Sequence, residues 1–481
     1  MVRRILKILG VIVILIIAVV LFNTFTFRSR QLKTTATPAP EMAEGALERF
    51  RGAIKYKTVS YTEPSLFDST QFNEFHRYLE STYPLVHQKL TRQTIAGYSL
   101  LYRWSGSDAT LPPYVLMAHQ DVVPVEEASK GLWTVDPFEG VVRNDTIWGR
   151  GTADDKINLI AIMESVEKLL KENFQPKRTI YLAFGHDEEV GGTGAQAIAA
   201  ELQSKNITPD LILDEGGFVT RDKVPGMTIP VALIGTSEKG YLSLQLKVEK
   251  NGGHSSMPAK ETALDILAKA LVVLREHPFP ADFTPSTEGF IEHVGPEMPF
   301  LQKMVFANTW LFKKVVIGIY ESSPGGNALV RTTAVPTIFN AGVKDNVIPT
   351  TVSAVVNFRL LPGDDSESVI DRVKNVIDDN RVEVTHLGSF FAEPTTISPE
   401  DGPGYKLVDE VVHQTFTNTV TTPFMMIGGT DSRHMVGVSK NIIKFSPMTD
   451  PLGFHGIDER VSLRSYRESL WFFETLLRTN H

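Results

Sequence analysis

Apolar positions along the chain fall into three textures. The first is an unbroken apolar run over 8–22, about 18 residues when counted from Ile5, the lower edge of what a membrane-spanning helix needs. The second begins after residue 42, where short apolar runs at 114–118 (YVLMA), 179–184 (TIYLAF) and 211–213 (LIL) each stop abruptly at polar residues. Runs without alternation fit strands buried on both faces. Between the first two, Ile160, Met163, Val166 and Leu170 recur at helical spacing, and a similar pattern over 195–202 follows the second. Strand, helix, strand order predicts an α/β sheet with helical crossovers. The third texture covers 238–361, where 241–248 and 352–360 alternate as half-exposed strands and 262–274 is amphipathic. That pattern predicts a separate antiparallel α+β layer inserted into the first fold. A helix over 366–379 and later pieces then rejoin that fold. The expected organisation is 1–30 as membrane anchor or signal segment, 31–41 as a tether, 42–237 and 362–481 as two parts of one domain, and 238–361 as the insertion.

The N-terminal run ends in bulky Phe22, Phe25 and Phe27 with no small-residue cleavage site, which favours an uncleaved anchor over a removed signal, the product being secreted in the second case. Arg3, Arg4 and Lys7 precede the run, so the short N-terminus is expected in the cytoplasm and the body on the other side. Thr34, Thr35, Thr37, Pro38 and Pro40 give 31–41 the composition of a linker. The 481 residues contain no cysteine, which removes disulfides, thiol nucleophiles and thiolate metal sites together. A net charge of −8 without a basic block gives nucleic acid no footing. The chemistry must come from His, carboxylates, Ser, Lys or Arg.

In open α/β sheets ligands bind at the carboxyl ends of strands. The residues that end these runs are His119-Gln120-Asp121, Glu188-Glu189 and Asp214-Glu215, joined by Asp154-Asp155 after a Gly-rich turn and by His455 near the C-terminus. Each alone reads as an ordinary loop His, an N-cap or a solvated acidic turn. Gathered at one sheet edge, their like charges repel unless cations sit among them. Two His and three carboxylates without a thiolate suit two Zn²⁺ or similar divalent ions. Asp121 is placed to hold the second nitrogen of His119. On an extended backbone Glu188 and Glu189 would point oppositely, one to metal and one to substrate.

The segments MAHQDVVP, GRGTADDK, GHDEEVGGTGA, DEGG, NGGHSSMP, DNVIP and FHGIDE together resemble the M20 family of zinc metallopeptidases, in order and spacing, from about Met42 to the C-terminus. The resemblance implies a zinc-peptidase-like mixed sheet with helices on both faces, an inserted α+β lid and a pair of zinc ions. It implies one zinc on His119 and Asp214, the other on Glu189 and His455, Asp154 bridging, Glu188 as general base, Asp121 orienting His119, and a cis Asp154–Asp155 peptide. On the lid it implies His254 for the oxyanion and Asn346 and Arg359 for a substrate carboxylate, with Gly429 as a backbone contact. The closest branch is the Gly-X carboxypeptidase and N-fatty-acyl-amino acid synthase/hydrolase group, so a small peptide or an N-acyl amino acid is the expected substrate. Dimerisation through the lid is also implied.

Large apolar residues crowd 298–320, which reads either as lid core or as an acyl-chain groove. Gly192-x-Gly194-x-x-Ala197 imitates a dinucleotide turn but lacks its third glycine. A non-catalytic scaffold on the same fold is the competing function class, and it would be expected to have lost ligands that this chain keeps.

Overall fold

The computed structural model describes residues 1–388 and 391–479. It opens on helix α1 (Val2–Thr26), exposed along nearly its whole length and about 37 Å long at ~1.5 Å per residue. The chain then builds β1 (Thr91–Ile95), β2 (Ser99–Trp104) and β3 (Tyr114–His119). It crosses by α2 (Lys156–Lys171) to β4 (Ile180–Gly185), by α3 (Thr193–Ser204) to β5 (Leu211–Thr220), and adds β6 (Val231–Glu238). Every residue of β3 and β4 is buried because alternate side chains serve two cores. Leu116, Ala118, Leu182 and Phe184 pack with α2, whereas Val115, Met117, Tyr181 and Ala183 pack with Ala195 and Ile198 of α3.

After Glu238 the chain leaves this sheet through β7 (Gly240–Glu249) and α4 (Ala263–Glu276), the latter started by a reciprocal Thr262–Asp265 cap. Helices α5 (Pro285–Val294), α6 (Phe300–Ala307) and α7 (Thr309–Glu321) follow, then β8 (Thr333–Ala341), β9 (Thr351–Leu360), α8 (Ser366–Ile377) and β10 (Val382–His386). The second sheet is antiparallel throughout, in the order β8-β9-β7-β10. The chain returns through α9 (Pro403–Thr415), β11 (Val420–Met426), β12 (Ile442–Thr449) and α10 (Leu463–Arg478). The first sheet then reads β1-β2-β4-β3-β5-β12-β6-β11, mixed, with β3, β4, β5 and β12 parallel to their neighbours among one another.

Three sequence expectations meet a different arrangement. The inserted layer runs past residue 361: Val369 and Val373 of α8 join Ile266 and Leu267 in its core, and β10 pairs with β7. The apolar stripe of α8 carries that information, but a stripe does not say which sheet it will face. Conversely, α5 leaves the inserted layer and covers β11, the last strand of the first sheet, where Val294 and Met298 pack on Val231 and Val420. Covering an edge strand removes a site of unwanted pairing. The linker-like segment also lies bonded along the body. Gln31 accepts from the Thr421 N–H at 2.7 Å and donates to the Thr421 carbonyl at 3.0 Å, so its amide completes the open edge of β11. Further on, the Thr37 N–H donates to Gln414 O, and Trp471 Nε1–H donates to Thr37 Oγ1.

Candidate metal centre

The end of β3, the middle of β5 and the loops that carry Asp154, Glu188 and His455 meet at one edge of the first sheet; β5 runs on through Asp214 and Glu215 to Thr220 instead of ending where its apolar run stops. His119, the last residue of β3, is buried, with Nδ1 3.0 Å from the main-chain oxygen of Asp121. That bond makes Nδ1 the N–H end and turns Nε2 toward Asp154 Oδ1 at 3.0 Å and Glu215 Oε1 at 3.4 Å. His455 sits in a left-handed turn with Nε2 3.0 Å from Asp154 Oδ2 and 3.1 Å from Glu189 Oε2. Asp154 therefore stands between two imidazoles with one oxygen toward each, and the peptide after it is cis.

Glu188 and Glu189 diverge because they occupy a single 3₁₀ turn, Glu188–Val190, rather than the extended backbone expected. Asp121 pins that turn: its carboxylate accepts from the N–H groups of Glu188 (3.2 Å) and Glu189 (3.1 Å) and from Ser60 Oγ (2.5 Å). Glu188 Oε1 lies 3.8 Å from Arg433.

Asp214 is placed otherwise than expected. Its carboxylate accepts from its neighbour's N–H, that of Glu215, at 2.9 Å and from the Ser432 N–H at 2.7 Å, while the Glu215 side chain reaches His119. Adjacent residues on a strand face opposite ways, so only one of this pair can enter the cluster.

Electrostatics follow from this crowding. Burial pushes the Glu188 carboxyl well above its ordinary range, with Glu215, Asp431 and Glu189 adding repulsion. Burial and Asp154 push Glu215 up to about 8. Burial alone would lower the His119 imidazole, but Glu215, Asp121 and Asp154 raise it well above its ordinary value. Two groups, His119–Asp154–Glu189 and His119–Asp155–Glu215, each offer ligand atoms within 4.8 Å of one another. Among the described residues, Glu189 Oε1 and Asp155 Oδ2 are buried with no hydrogen-bond partner. Unpartnered carboxylate oxygens beside the buried imidazole of His119 and the exposed one of His455 are the donor set a divalent cation satisfies.

The substrate-contact candidates divide. Arg359 stacks over Tyr241 at 4.7 Å, and burial followed by the nearby charge of Arg433 lowers its pKa. A Cβ on Gly429 would stand 2.6 Å from Arg433 Nη1, so glycine there lets the guanidinium pass. Both arginines thus belong to one neighbourhood with Glu188. His254 and Asn346 stand elsewhere, on an exposed two-stranded tip where the Ser255 N–H donates to Asn346 O. Among the described residues, no hydrogen bond or ion pair joins them to the cluster.

Sequence reasoning placed Glu215 and Asp155 at this sheet edge without giving either a role, and passed over Arg433 and Glu459. Glu459 is fully buried, accepts from the Ala153 N–H (2.8 Å) and the Asp154 N–H (3.2 Å), and pairs with Arg150 at 2.7 Å. Arg150 also donates to Gly456 O, beside His455. This pair clamps the loops carrying Asp154 and His455, and the acidic ending of FHGIDE was its only trace in the sequence. Glu459→Ala is expected to lower unfolding stability by about 3–5 kcal/mol, because it strands a buried guanidinium. The double change Arg150→Met/Glu459→Leu should recover only part, since two backbone N–H groups still lose their acceptor. Denaturant midpoints measure both, and an unchanged midpoint for the alanine variant would refute the clamp.

Comparison with known proteins gives the family and the fold. The family model described as Peptidase family M20/M25/M40 matches residues 115–479. The chain is 38% identical over 480 residues to a protein of Dictyostelium discoideum named probable carboxypeptidase S-like 2, covering 96% of this chain and 92% of that one. It is 39% identical over 439 residues to the N-fatty-acyl-amino acid synthase/hydrolase PM20D1 of Homo sapiens, covering 90% and 87%. Among solved structures, the M20 family metallo-carboxypeptidase Sso-CP2 from Sulfolobus solfataricus superposes with a TM-score of 0.67 at 19% identity, covering 91% of this chain and 99% of that one.

Proposed function

The chain belongs to peptidase family M20/M25/M40 and is a metallopeptidase or amidohydrolase of that family, and from this premise we propose that it cleaves an amide bond beside a free carboxylate with Glu188 as general base. The observation that carries this reading is Asp154 held between His119 and His455, with unpartnered carboxylate oxygens around it. Two divalent ions, zinc by the donor set, would be held by His119 and Glu215 on one side and Glu189 and His455 on the other, with Asp154 shared. When bound they supply Lewis acidity and an acidified water. Asp121 keeps His119 in the Nδ1–H tautomer and fixes the turn that aims Glu188. Glu188 takes a proton from the attacking water and returns it to the leaving nitrogen. The charge of Arg433 lies close enough to Arg359 to lower its pKa after burial, a repulsion that a substrate carboxylate relieves by bidentate pairing. Gly429 lines that neighbourhood. His254 would serve the oxyanion, and Asn346 the carboxylate, once brought to the site.

Carboxypeptidase action on small peptides is the first substrate reading. Hydrolysis or synthesis of N-fatty-acyl amino acids is the second, supported by the name of the 39% identical human relative, and both place a free carboxylate beside the amide. Full-length protein in detergent, given dipeptides and N-oleoyl amino acids with zinc added or chelated, decides between them. Cleavage is expected to need the metal. Preference for dipeptides supports the first reading and preference for long acyl chains the second. No cleavage of either class would leave the scaffold alternative.

We read α1 as an uncleaved anchor with the body on the non-cytoplasmic side, supported by its length, its exposed apolar surface and Arg3, Arg4 and Lys7 at its start. A homodimer through the inserted layer is supported by β8, which ends its sheet with nearly every residue exposed, and by the exposed tip holding His254 and Asn346. Light scattering on the solubilised chain would give twice the monomer mass, and a monomer at micromolar concentration would exclude it.

A further inference from the structure

The apolar stretch over 298–320 lies outside the core of the inserted layer. It folds as α6 and α7, joined at Asn308; α6 and the Asn308 junction lie against the last turns of α1, and α7 packs on α6. Asn308 is fully buried in this junction. Its amide donates to Val20 O (3.1 Å) and Thr24 Oγ1 (3.3 Å), and its oxygen accepts from Asn23 Nδ2 (3.0 Å) and Trp310 Nε1 (3.1 Å). Phe25 and Phe300 meet at 6.0 Å, and the Phe27 ring lies over Gly295. Asn23 and the oxygens of Val20 and Thr24 are thereby partnered by Asn308, while the Thr24 and Thr26 hydroxyls donate to carbonyls of α1 itself, as polar groups must where no water is available. The opposite side of the helical pair presents Leu301, Trp310, Leu311, Val315 and Ile319 outward, between 45% and 68% exposed.

We propose that α6 and α7 are a membrane-embedded platform, seated in the outer interface of the same phospholipid bilayer that α1 spans. The proposal rests on the reading of α1 as an anchor. What selects the bilayer over other occupants is continuity. The junction is bonded to α1 at Val20, Asn23 and Thr24, about 3–9 Å along the axis from its end at Thr26 (~1.5 Å per residue). An interfacial amphipathic helix buries its apolar face about 5–10 Å into the headgroup and acyl boundary, so the depth set by the Asn308 junction is the depth such a helix occupies. Trp310 takes the place of an interfacial aromatic, and exposed Lys314 flanks the apolar face as a headgroup partner, while its neighbour Lys313 is held by Asp282. With 27–37 bonded to the body as well, the hydrolase is held at a fixed orientation on the membrane rather than swinging on a leash.

The chain has no cysteine, so single labels can be placed without further changes. Full-length protein carrying Leu311→Cys, Ile319→Cys or, as a control on the exposed inserted layer, Val343→Cys is labelled with a fluorophore. It is then reconstituted into phosphatidylcholine vesicles containing nitroxide-labelled lipid chains. Flotation with the vesicles reports the anchor, and quenching reports the platform. The expected result is flotation of all three, with quenching at residues 311 and 319 several-fold above that at 343. Flotation with equal, weak quenching at all three positions overturns the platform and leaves the anchor. Failure to float overturns the anchor reading and the platform with it. Concentration-dependent burial of the 311 probe without lipid quenching would assign the face to a second copy, and protection by an N-oleoyl amino acid alone would assign it to substrate; each refutes the proposal.

Discussion

Glu188→Gln lowers kcat by about 10²- to 10⁴-fold, the range a positioned general base contributes, while the purified protein keeps the metal content of the parent. Both halves follow from position. The Glu188 side chain belongs to neither group of converging ligand atoms, and its main-chain N–H, not its carboxylate, is what Asp121 holds. Glutamine fills the same space and leaves the turn intact, so His455 still meets Glu189. What is lost is the capacity to take up a proton in a pocket where burial and neighbouring carboxylates raise the affinity of the group for one. Elemental analysis beside steady-state kinetics checks the result. Loss of metal would make Glu188 a ligand, and retention of activity would remove it from the chemistry.

The second large effect separates two adjacent residues. Glu215→Ala is expected to weaken divalent-metal binding by more than about 100-fold, beyond the 10- to 100-fold typical when only an outer partner is lost, and to abolish activity with it. Asp214→Ala should keep the metal and instead lose about 1–3 kcal/mol of stability, because buried Ser432 and Glu215 N–H groups would lack their acceptor. Competition of each variant with a chromogenic chelator measures the first quantity and urea unfolding the second. If Asp214→Ala is the variant that gives up metal, the ligand set implied by family resemblance stands and the one drawn from geometry fails.

This pair also shows how far the sequence could be read. The end of β3 was legible because a wholly apolar run stops at His119, and a strand buried on both faces has nowhere else to put polar residues; the run that stops at Asp214 marked the place of the site along β5 but not the strand's end, which is Thr220. Which of Asp214 and Glu215 enters the cluster is a question of parity along β5, and parity depends on how that strand lies against its neighbours. Parity reasoning was applied to Glu188 and Glu189, where a tight turn makes it irrelevant. The α8 to β10 segment was assigned to the wrong layer because an amphipathic helix announces a face but not a partner. Asn308 and Gln31 were silent, since a polar side chain that satisfies another segment's backbone has no local signature.

The strand order holds a consequence for how the molecule comes into being. β12 lies between β5 and β6, pairing Ile442 with Ile212 across some 230 residues of chain that include the whole inserted layer. Until that late strand is synthesised, β5 and β6 splay from their shared end at Val219 and Thr220 with inner edges open. Pairings of such long range are slow and expose strand edges meanwhile. On the proposed reading of α1 as an anchor, the waiting chain is already held at a membrane, where diffusion in two dimensions brings copies together. A nascent chain stopped before residue 442 should therefore associate through these edges, and the maturation of this enzyme is expected to depend more on chaperone supply at the translocation site than on the stability of its finished fold.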